Sequence, residues 1–265
     1  MEKFKIAIVQ IGIDDTSKSF VQQVCEEPAM LELCTPIVYD EETAFRNLDK
    51  GEVDALVLFP SAKLTKQPAE SVEIIVTDET HFMPLAKEPT VEDIVMFRNI
   101  LERDFDLRSP RIAIVQETSM QHPDLTSQVT VEQSINTYGP YTSEQILDKD
   151  RMCHFDGIIT VGDTAMGEKI ISALSQKVPV HFFAGTKAVI TATYHPVRMH
   201  KAEEEGLTDV SEMTHPIYTA IDVVRHRTFY DEARQNPLPK LFRDKREDRR
   251  KDDASPNKPN PQNEE

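Results

Sequence analysis

PAMLELCTPIVY, from Pro28 to Tyr39, and PIYTAIDVVRHRTFYDEARQNPL, from Pro216 to Leu238, are the stretches on which the fold reading turns. The first ends in a β-rich run, Thr35 to Tyr39. In the second, Ile217, Ile221 and Val224 recur at helical spacing, which predicts a helix from about His215 to Glu232 with Arg225 and Arg227 able to reach water. Outward from these, β-rich runs recur at Lys5 to Ile11, Ala55 to Leu58, Val72 to Val76, Arg111 to Val115, Gly157 to Val161, Val178 to Phe183 and Ala188 to Thr193. Helical segments fall between them. Thr90 opens one, with Asp93 as an acidic partner three residues on and Ile94, Phe97, Ile100, Leu101 and Phe105 as an apolar packing stripe. Alternation of this kind predicts an α/β fold, a mostly parallel sheet with helices on both faces.

A chain of 265 residues can bury a substantial core, as one large domain or two lobes. The formal charge of -16 argues against a sequence-independent grip on nucleic acid, because that grip depends on Lys and Arg neutralising phosphates. Cys25, Cys34 and Cys153 form no CxxC pair and leave one thiol over in any disulfide scheme, so they read as buried thiols in a reducing compartment. The opening MEKFKIAIVQIGIDD has a short apolar run followed by two aspartates, which fits a strand rather than a signal peptide. No stretch approaches a membrane span, and the cytoplasm is the expected location. Beyond Pro239 the chain turns to charge, Pro, Asn and Ser, too polar to offset its ordering entropy. The expected organisation is an α/β unit over residues 1–240, in two lobes of uncertain boundary, and a disordered charged tail over 241–265.

The two opening stretches, together with KGEVDALVLFPSAKL at Lys50 to Leu64, VTDETHFMPLAKEPT at Val76 to Thr90 and FDGIITV at Phe155 to Val161, resemble the 4-hydroxythreonine-4-phosphate dehydrogenase family, the PdxA proteins of pyridoxal phosphate synthesis. The resemblance covers most of the chain from Phe4 to about Phe242, in collinear order. It implies an isocitrate/isopropylmalate dehydrogenase-like fold in two lobes and a dimer. It also implies a divalent metal held by three histidines between subunits, NAD as hydride acceptor, and a phosphorylated hydroxy amino acid as substrate. The metal in that family acts as a Lewis acid on the substrate oxygens.

At the positions of the three histidines this chain carries other residues. Met120 stands where the family has its first ligand, in the turn Thr118-Ser119-Met120-Gln121, and a thioether is a poor partner for hard cations. His122, two residues on, is a weak substitute. Asp163 stands at the second position, in Gly162-Asp163-Thr164-Ala165, where an oxygen donor is also well placed to cap the following helix. Lys187 stands at the third, in Gly185-Thr186-Lys187-Ala188, and its ammonium repels a dication. A Gly-His-Thr motif of the family falls between Leu64 and Val72, where only TKQPAES intervenes. Asp14 and Asp15 follow the first strand, favouring a helix start and disfavouring an anion there.

Eight glycines in 265 residues is low against usual usage of about 7%, and pyrophosphate cradles need glycine for close approach. Gly162 to Lys169 has a phosphate-loop outline, but the lysine is one place late and no Ser or Thr follows it. His81 reads as a structural hydrogen-bonding residue, the liner of a residual cleft, or a second weak substitute ligand. His195, His200 and His215 lack ligand spacing. No G-x-S-x-G turn is present. The expectation is a family member that has lost metal-dependent oxidation, needs no cofactor, and acts as a binding or partner protein, as a homodimer or as a heteromer with a relative. The alternative is an active NAD-dependent dehydrogenase with a divalent metal, its site improvised from His81, His122 and Asp163.

Overall fold

The computed structural model describes residues 3–10, 15–59, 71–117, 124–148, 155–162, 164–185, 188–193 and 210–236. Its contacts divide the chain into Met1–Thr228, which carries the sheet and every side-chain contact described below, and Phe229–Glu265. The predicted tail lies outside the described residues.

Among the described residues ten strands form one sheet: β1 (Phe4–Gln10), β2 (Cys34–Tyr39), β3 (Ala55–Phe59), β4 (Val72–Val76), β5 (His81–Leu85), β6 (Arg111–Val115), β7 (Asn136–Tyr141), β8 (Gly157–Val161), β9 (Val180–Ala184) and β10 (Val189–Thr193). Their order across the sheet is β2-β1-β3-β10-β9-β4-β5-β8-β6-β7. The first four in that order are mutually parallel, and so are the last four. Between them β9 pairs antiparallel with both β10 and β4, and β4 antiparallel with β5. Following the senses across these three reversals, the two parallel groups run in opposite directions.

The α/β architecture with a mostly parallel sheet matches the sequence reading. Eight of the strands lie at the expected places. The other two, β5 and β7, were not expected: MPL reads as a turn because of Pro84, and NTYGPY holds both Gly139 and Pro140. The ladder accommodates that pair by a register shift opposite Ala113 and Val115. Gly139 has φ 106°, and a Cβ there would lie 2.6 Å from the Ile114 carbonyl oxygen, so only glycine fits.

Helices cover the sheet on both faces, which is why β3, β8 and β10 are buried along their whole length. The larger face packs Ile6, Ile8, Val57, Ile74, Met83, Ile112, Ile159 and Phe182 against α1 (Asp15–Glu26), α2 (Pro28–Leu33), α4 (Val91–Asp104), α5 (Leu125–Gln133) and α8 (Val210–Gln235). On the other face, residues one step along the same strands meet α3 (Glu41–Asp49) at one end, and α6 (Ser143–Ile146) with α7 (Thr164–Leu174) at the other.

The α4 start is as the sequence predicts: Thr90 Oγ1 accepts from the Asp93 amide at 3.2 Å, and Asp93 accepts from the Thr90 amide at 2.8 Å. Ile94, Phe97, Ile100 and Leu101 are buried. The last helix is longer than predicted at both ends, with Pro216 inside it. Thr191 donates its hydroxyl hydrogen to the Pro216 carbonyl at 2.8 Å, fixing that helix over β10. Of the thiols, Cys34 is buried, which pushes its pKa up to about 11, and Cys25 is half-buried. Cys153 lies outside the described residues.

Candidate functional site

In open α/β sheets ligands gather at the carboxyl ends of strands, where chain order reverses. This sheet has two such points. One lies between β1 and β3, since β1 leads to β2 on one side and β3 on the other; the second lies in the same way between β6 and β8. Because the two parallel groups are opposed, these points open on opposite edges of the sheet.

On the first edge end β1, β3 and β10, followed by residues 11–14, 60–70 and 194–209, all outside the described residues. On the second edge end β5, β6, β8 and β9. Met120 and His122 come after β6, Asp163 after β8, and Lys187 between β9 and β10; these four residues also lie outside the described residues. The strands that lead to them are described, and all end on the second edge. Strands β6 and β8 are neighbours, but β9 is separated from β8 by β5 and β4, a gap of about 14 Å at ordinary strand spacing.

The described part of the second edge is polar. The Gln116 amide donates to the Tyr141 carbonyl at 2.8 Å, and the Gly162 amide to the Leu85 carbonyl at 2.8 Å. Glu117 Oε1 accepts from the Ser143 amide at 2.8 Å, and hydrogen bonds from Ser143, side chain first and backbone second, hold the Glu117 carboxyl below its usual pKa. Gln116 Nε2 donates to Glu88 at 3.4 Å. Helix α7 begins at Thr164, immediately after Asp163.

His81 is placed elsewhere. It opens β5 on the first edge, four residues before Leu85, and so about 13 Å along the strand from the edge that Asp163 follows. Its backbone amide and its Nδ1 each lie 3.2 Å from the Asp156 carbonyl oxygen, and its ring leans on Phe105 with centroids 4.1 Å apart. Burial pushes the imidazole down to about 4, outweighing the opposing pull of Asp156, so it is neutral near pH 7 and Nδ1–H donates. His81 is thus a strand-pairing residue at the opposite end of β5 from the edge on which the strands before the other candidate positions end.

Its partner explains the Phe155-Asp156-Gly157 segment. Asp156 Oδ2 accepts from the Arg111 amide at 2.8 Å, the Asp156 amide donates to the Arg111 carbonyl at 3.0 Å, and Thr80 Oγ1 donates to the Phe155 carbonyl at 3.2 Å. A Cβ on Gly157 would stand 2.7 Å from Phe97 Cε1 and 2.8 Å from Leu101 Cδ1, so glycine lets α4 settle on β8. The segment stitches β5, β6 and β8 together.

A network that the sequence reading missed surrounds Asp104, whose side chain is wholly buried. Arg227 grips it with Nε and Nη2, both at 2.8 Å, and Arg103 with Nε at 2.6 Å and Nη2 at 3.0 Å. Arg227 also donates to the Ala188 carbonyl at 3.1 Å and to that of Gly185 at 3.2 Å, and Arg103 donates to Gly185 at 3.2 Å. His226 Nδ1 lies 3.0 Å from the Asp104 carbonyl oxygen. The expectation that Arg227 reaches water is therefore corrected: its side chain is 12% exposed, because its planar fork is spent on Asp104 and two carbonyls. Arg225, at 35%, does reach the surface and pairs with Asp222. One signal for the network was present, an aspartate closing a helix at the end where the dipole disfavours a carboxylate.

Among the described residues no three His, Cys, Asp or Glu side chains gather as a metal-binding group. The three ligand positions that the resemblance implies would hold Met120, Asp163 and Lys187, and a thioether, a carboxylate and an ammonium together are not a donor set that suits a divalent cation.

No family model matches the chain. The 4-hydroxythreonine-4-phosphate dehydrogenase of Bacteroides thetaiotaomicron is 24% identical to it over 350 aligned residues, taking in 93% of this chain and 96% of that protein. Over nearly its whole length the chain is similar to that 4-hydroxythreonine-4-phosphate dehydrogenase. The alignment is longer than the 265 residues of this chain, so the relative carries segments with no counterpart here. Solved structures agree on the fold. The 4-hydroxythreonine-4-phosphate dehydrogenase of Burkholderia phymatum is 11% identical and superposes with a TM-score of 0.53 over 84% of this chain and 99% of that one. That of Klebsiella pneumoniae is 13% identical, with a TM-score of 0.53 over 82% and 88%. No helix among the described residues is long and apolar enough to cross a membrane.

Proposed function

We propose that this family member keeps the scaffold but has lost metal-dependent oxidation, and that it acts in the cytoplasm as a binding or partner protein, as a homodimer or with a relative. The observation that carries the reading is the replacement of all three histidines, by Met120, Asp163 and Lys187, in loops after three strands that end on one edge of the sheet. Three independent turns have changed, and each change weakens a grip on a dication. The gap of about 14 Å between the ends of β8 and β9 favours the dimer: a three-donor site closes more easily with one donor from a second copy. On this reading the two lobes are the two parallel groups of strands, and the charged tail is a solvated end.

The second reading is a working oxidoreductase using NAD and a divalent metal. Family membership across 93% of the chain favours it. On this reading His81, which opens β5 on the first edge, has to meet His122 and Asp163, which follow strands ending on the second, within one copy or across a dimer.

Metal analysis of the purified chain, with thermal unfolding in NAD, Mg²⁺ and Zn²⁺, separates the two. A ligand that binds only the folded form raises apparent stability by about 2.7 kcal/mol at a hundred times its Kd. The first reading expects no co-purified metal, no shift with the cations, and no NAD reduction on 4-hydroxythreonine 4-phosphate. Metal-dependent turnover of that substrate overturns it.

A further inference from the structure

We propose that the gap in the helical layer over β9 and β4 is a binding site for a small organic cation, an ammonium or guanidinium on a short apolar body, with Glu73 as its counter-ion. The proposal rests on the reading above of the chain as a binding protein and names what it binds. On the face that carries α3, α6 and α7, helix α3 packs on β1 and β3, and α7 on β5 and β8. Their axes are separated by about five strand spacings, or about 24 Å, and one helix diameter of about 10–12 Å leaves an opening about 12 Å wide over β10, β9 and β4. The apolar residues under α3 and those under α7 accordingly form two separate clusters.

The opening has a polar centre. Glu73 on β4 stands opposite Phe183 on β9, and Ile75 opposite His181, so the four side chains share this face. His181 Nε2 lies 2.8 Å from Glu73 Oε1, and the imidazole stacks on the Phe183 ring with centroids 4.5 Å and planes 25° apart. Ile74, Ile75 and Phe183 are buried, yet the Glu73 side chain, on the sixth of ten strands, is 37% exposed. Solvent therefore reaches a carboxylate in the middle of the sheet, where an apolar side chain would close the layer at lower desolvation cost. The His181 contact holds the carboxyl below its usual pKa, so it is ionised at neutral pH. Among the described residues Glu73 has no partner besides His181. The stacked ring fixes one oxygen, and the other can receive an N–H donor without the side chain first being ordered. A charge-assisted bond of that kind is the strong kind, and its apolar surroundings strengthen it. The same charge repels a phosphate or carboxylate ligand.

The test uses the full-length chain, labelled with nitrogen-15, in about 150 mM salt, which screens attraction to the rest of the acidic surface beyond about 8 Å. n-Butylammonium and n-butylguanidinium are titrated in separately, with butyrate and n-butyl phosphate as anionic counterparts. The proposal expects both cations to shift the amide signals of Glu73, Ile75, His181 and Phe183 saturably while those of β7 and α5 stay in place, and neither anion to do so. Glu73→Gln keeps the shape and removes the charge, and is expected to weaken cation binding by about tenfold or more. Should that variant not fold, the wild-type shift map decides alone. Anions that bind as well as the cations, a folded Glu73→Gln that binds as the wild type does, or shifts spread evenly over the surface overturn the proposal. A capped Ala-Ala-Arg-Ala-Ala peptide that binds more than about tenfold tighter than n-butylguanidinium would assign the site to a partner protein's side chain, and overturns the small-molecule assignment. Metal-dependent turnover would defeat the functional reading without altering the shift map, and a failed map leaves that reading standing.

Discussion

Asp104 and Arg227, 123 residues apart, meet through two parallel N–H···O bonds of 2.8 Å in a site where the carboxylate has no exposed surface. The pair joins the end of α4 to the middle of α8. Its stability effect follows from what each partner becomes when alone. Asp104→Ala leaves two guanidinium groups in the interior without a counter-ion, and is expected to cost about 3–5 kcal/mol in urea unfolding. The double variant Asp104→Leu/Arg227→Met is expected to be less destabilised than the sum of the single changes, a coupling that a double-mutant cycle measures directly.

His81 gives the fold a pH dependence of defined sign. Its folded pKa, about 4, lies below the ordinary value of 6.5, so between these limits the unfolded chain binds the proton more readily. The contribution of the neutral ring is fully present above pH 6.5, falls as pH drops through that window, and is exhausted near pH 4. At about 1.36 kcal/mol per unit the whole effect is on the order of 3 kcal/mol. In His81→Gln, whose side chain does not titrate, the slope of unfolding free energy between pH 6.5 and 4 is expected to flatten relative to the wild type. An unchanged slope would place the effect on other groups.

Glu73 acts over a lower range. The His181 imidazole, its Nε2 2.8 Å from Glu73 Oε1, holds the Glu73 carboxyl below the usual value despite an opposing push from burial. The stability it adds is present above the unfolded pKa and lost as pH falls through the folded one. Glu73→Gln should therefore lose more stability at pH 7 than at pH 3, measured by denaturant unfolding at both.

Gly157 tests the seating of α4 on β8. A methyl group there would overlap Phe97 and Leu101, both buried ring or branched side chains with little room to retreat. Gly157→Ala is expected to cost about 1–3 kcal/mol as an overpacking change. A Tm equal to that of the wild type would mean that the helix can lift without penalty.

Much of the architecture was legible because it is written in local periodicity. The stripe Ile94, Phe97, Ile100 and Leu101, the capping box at Thr90, and the runs that become β3, β8 and β10 carry their own signal. Strand β7 did not, because Gly139 and Pro140 suppress strand propensity and are accommodated by a register shift that only the neighbour β6 reveals. The candidate positions Met120, Asp163 and Lys187 were legible as departures from a family pattern. The Asp104 network was not, since its members come from three distant segments, and an Arg on a helix looks the same in sequence whether it faces water or a buried acid. His81 lies between these cases: its sequence context offered a structural hydrogen bond, a cleft lining or a weak ligand, and its contacts with Asp156 are the first of these.

The reversal at the centre of the sheet also limits how the chain can vary. Strands β9 and β4 splice two opposed halves, and their side chains alternate between two differently packed faces, Phe182 toward one and Phe183 toward the other. Adding or deleting one residue there would exchange those faces and leave both halves mismatched. Growth and loss of length are thereby confined to the rims, where connections can lengthen or shrink while the splice keeps its register.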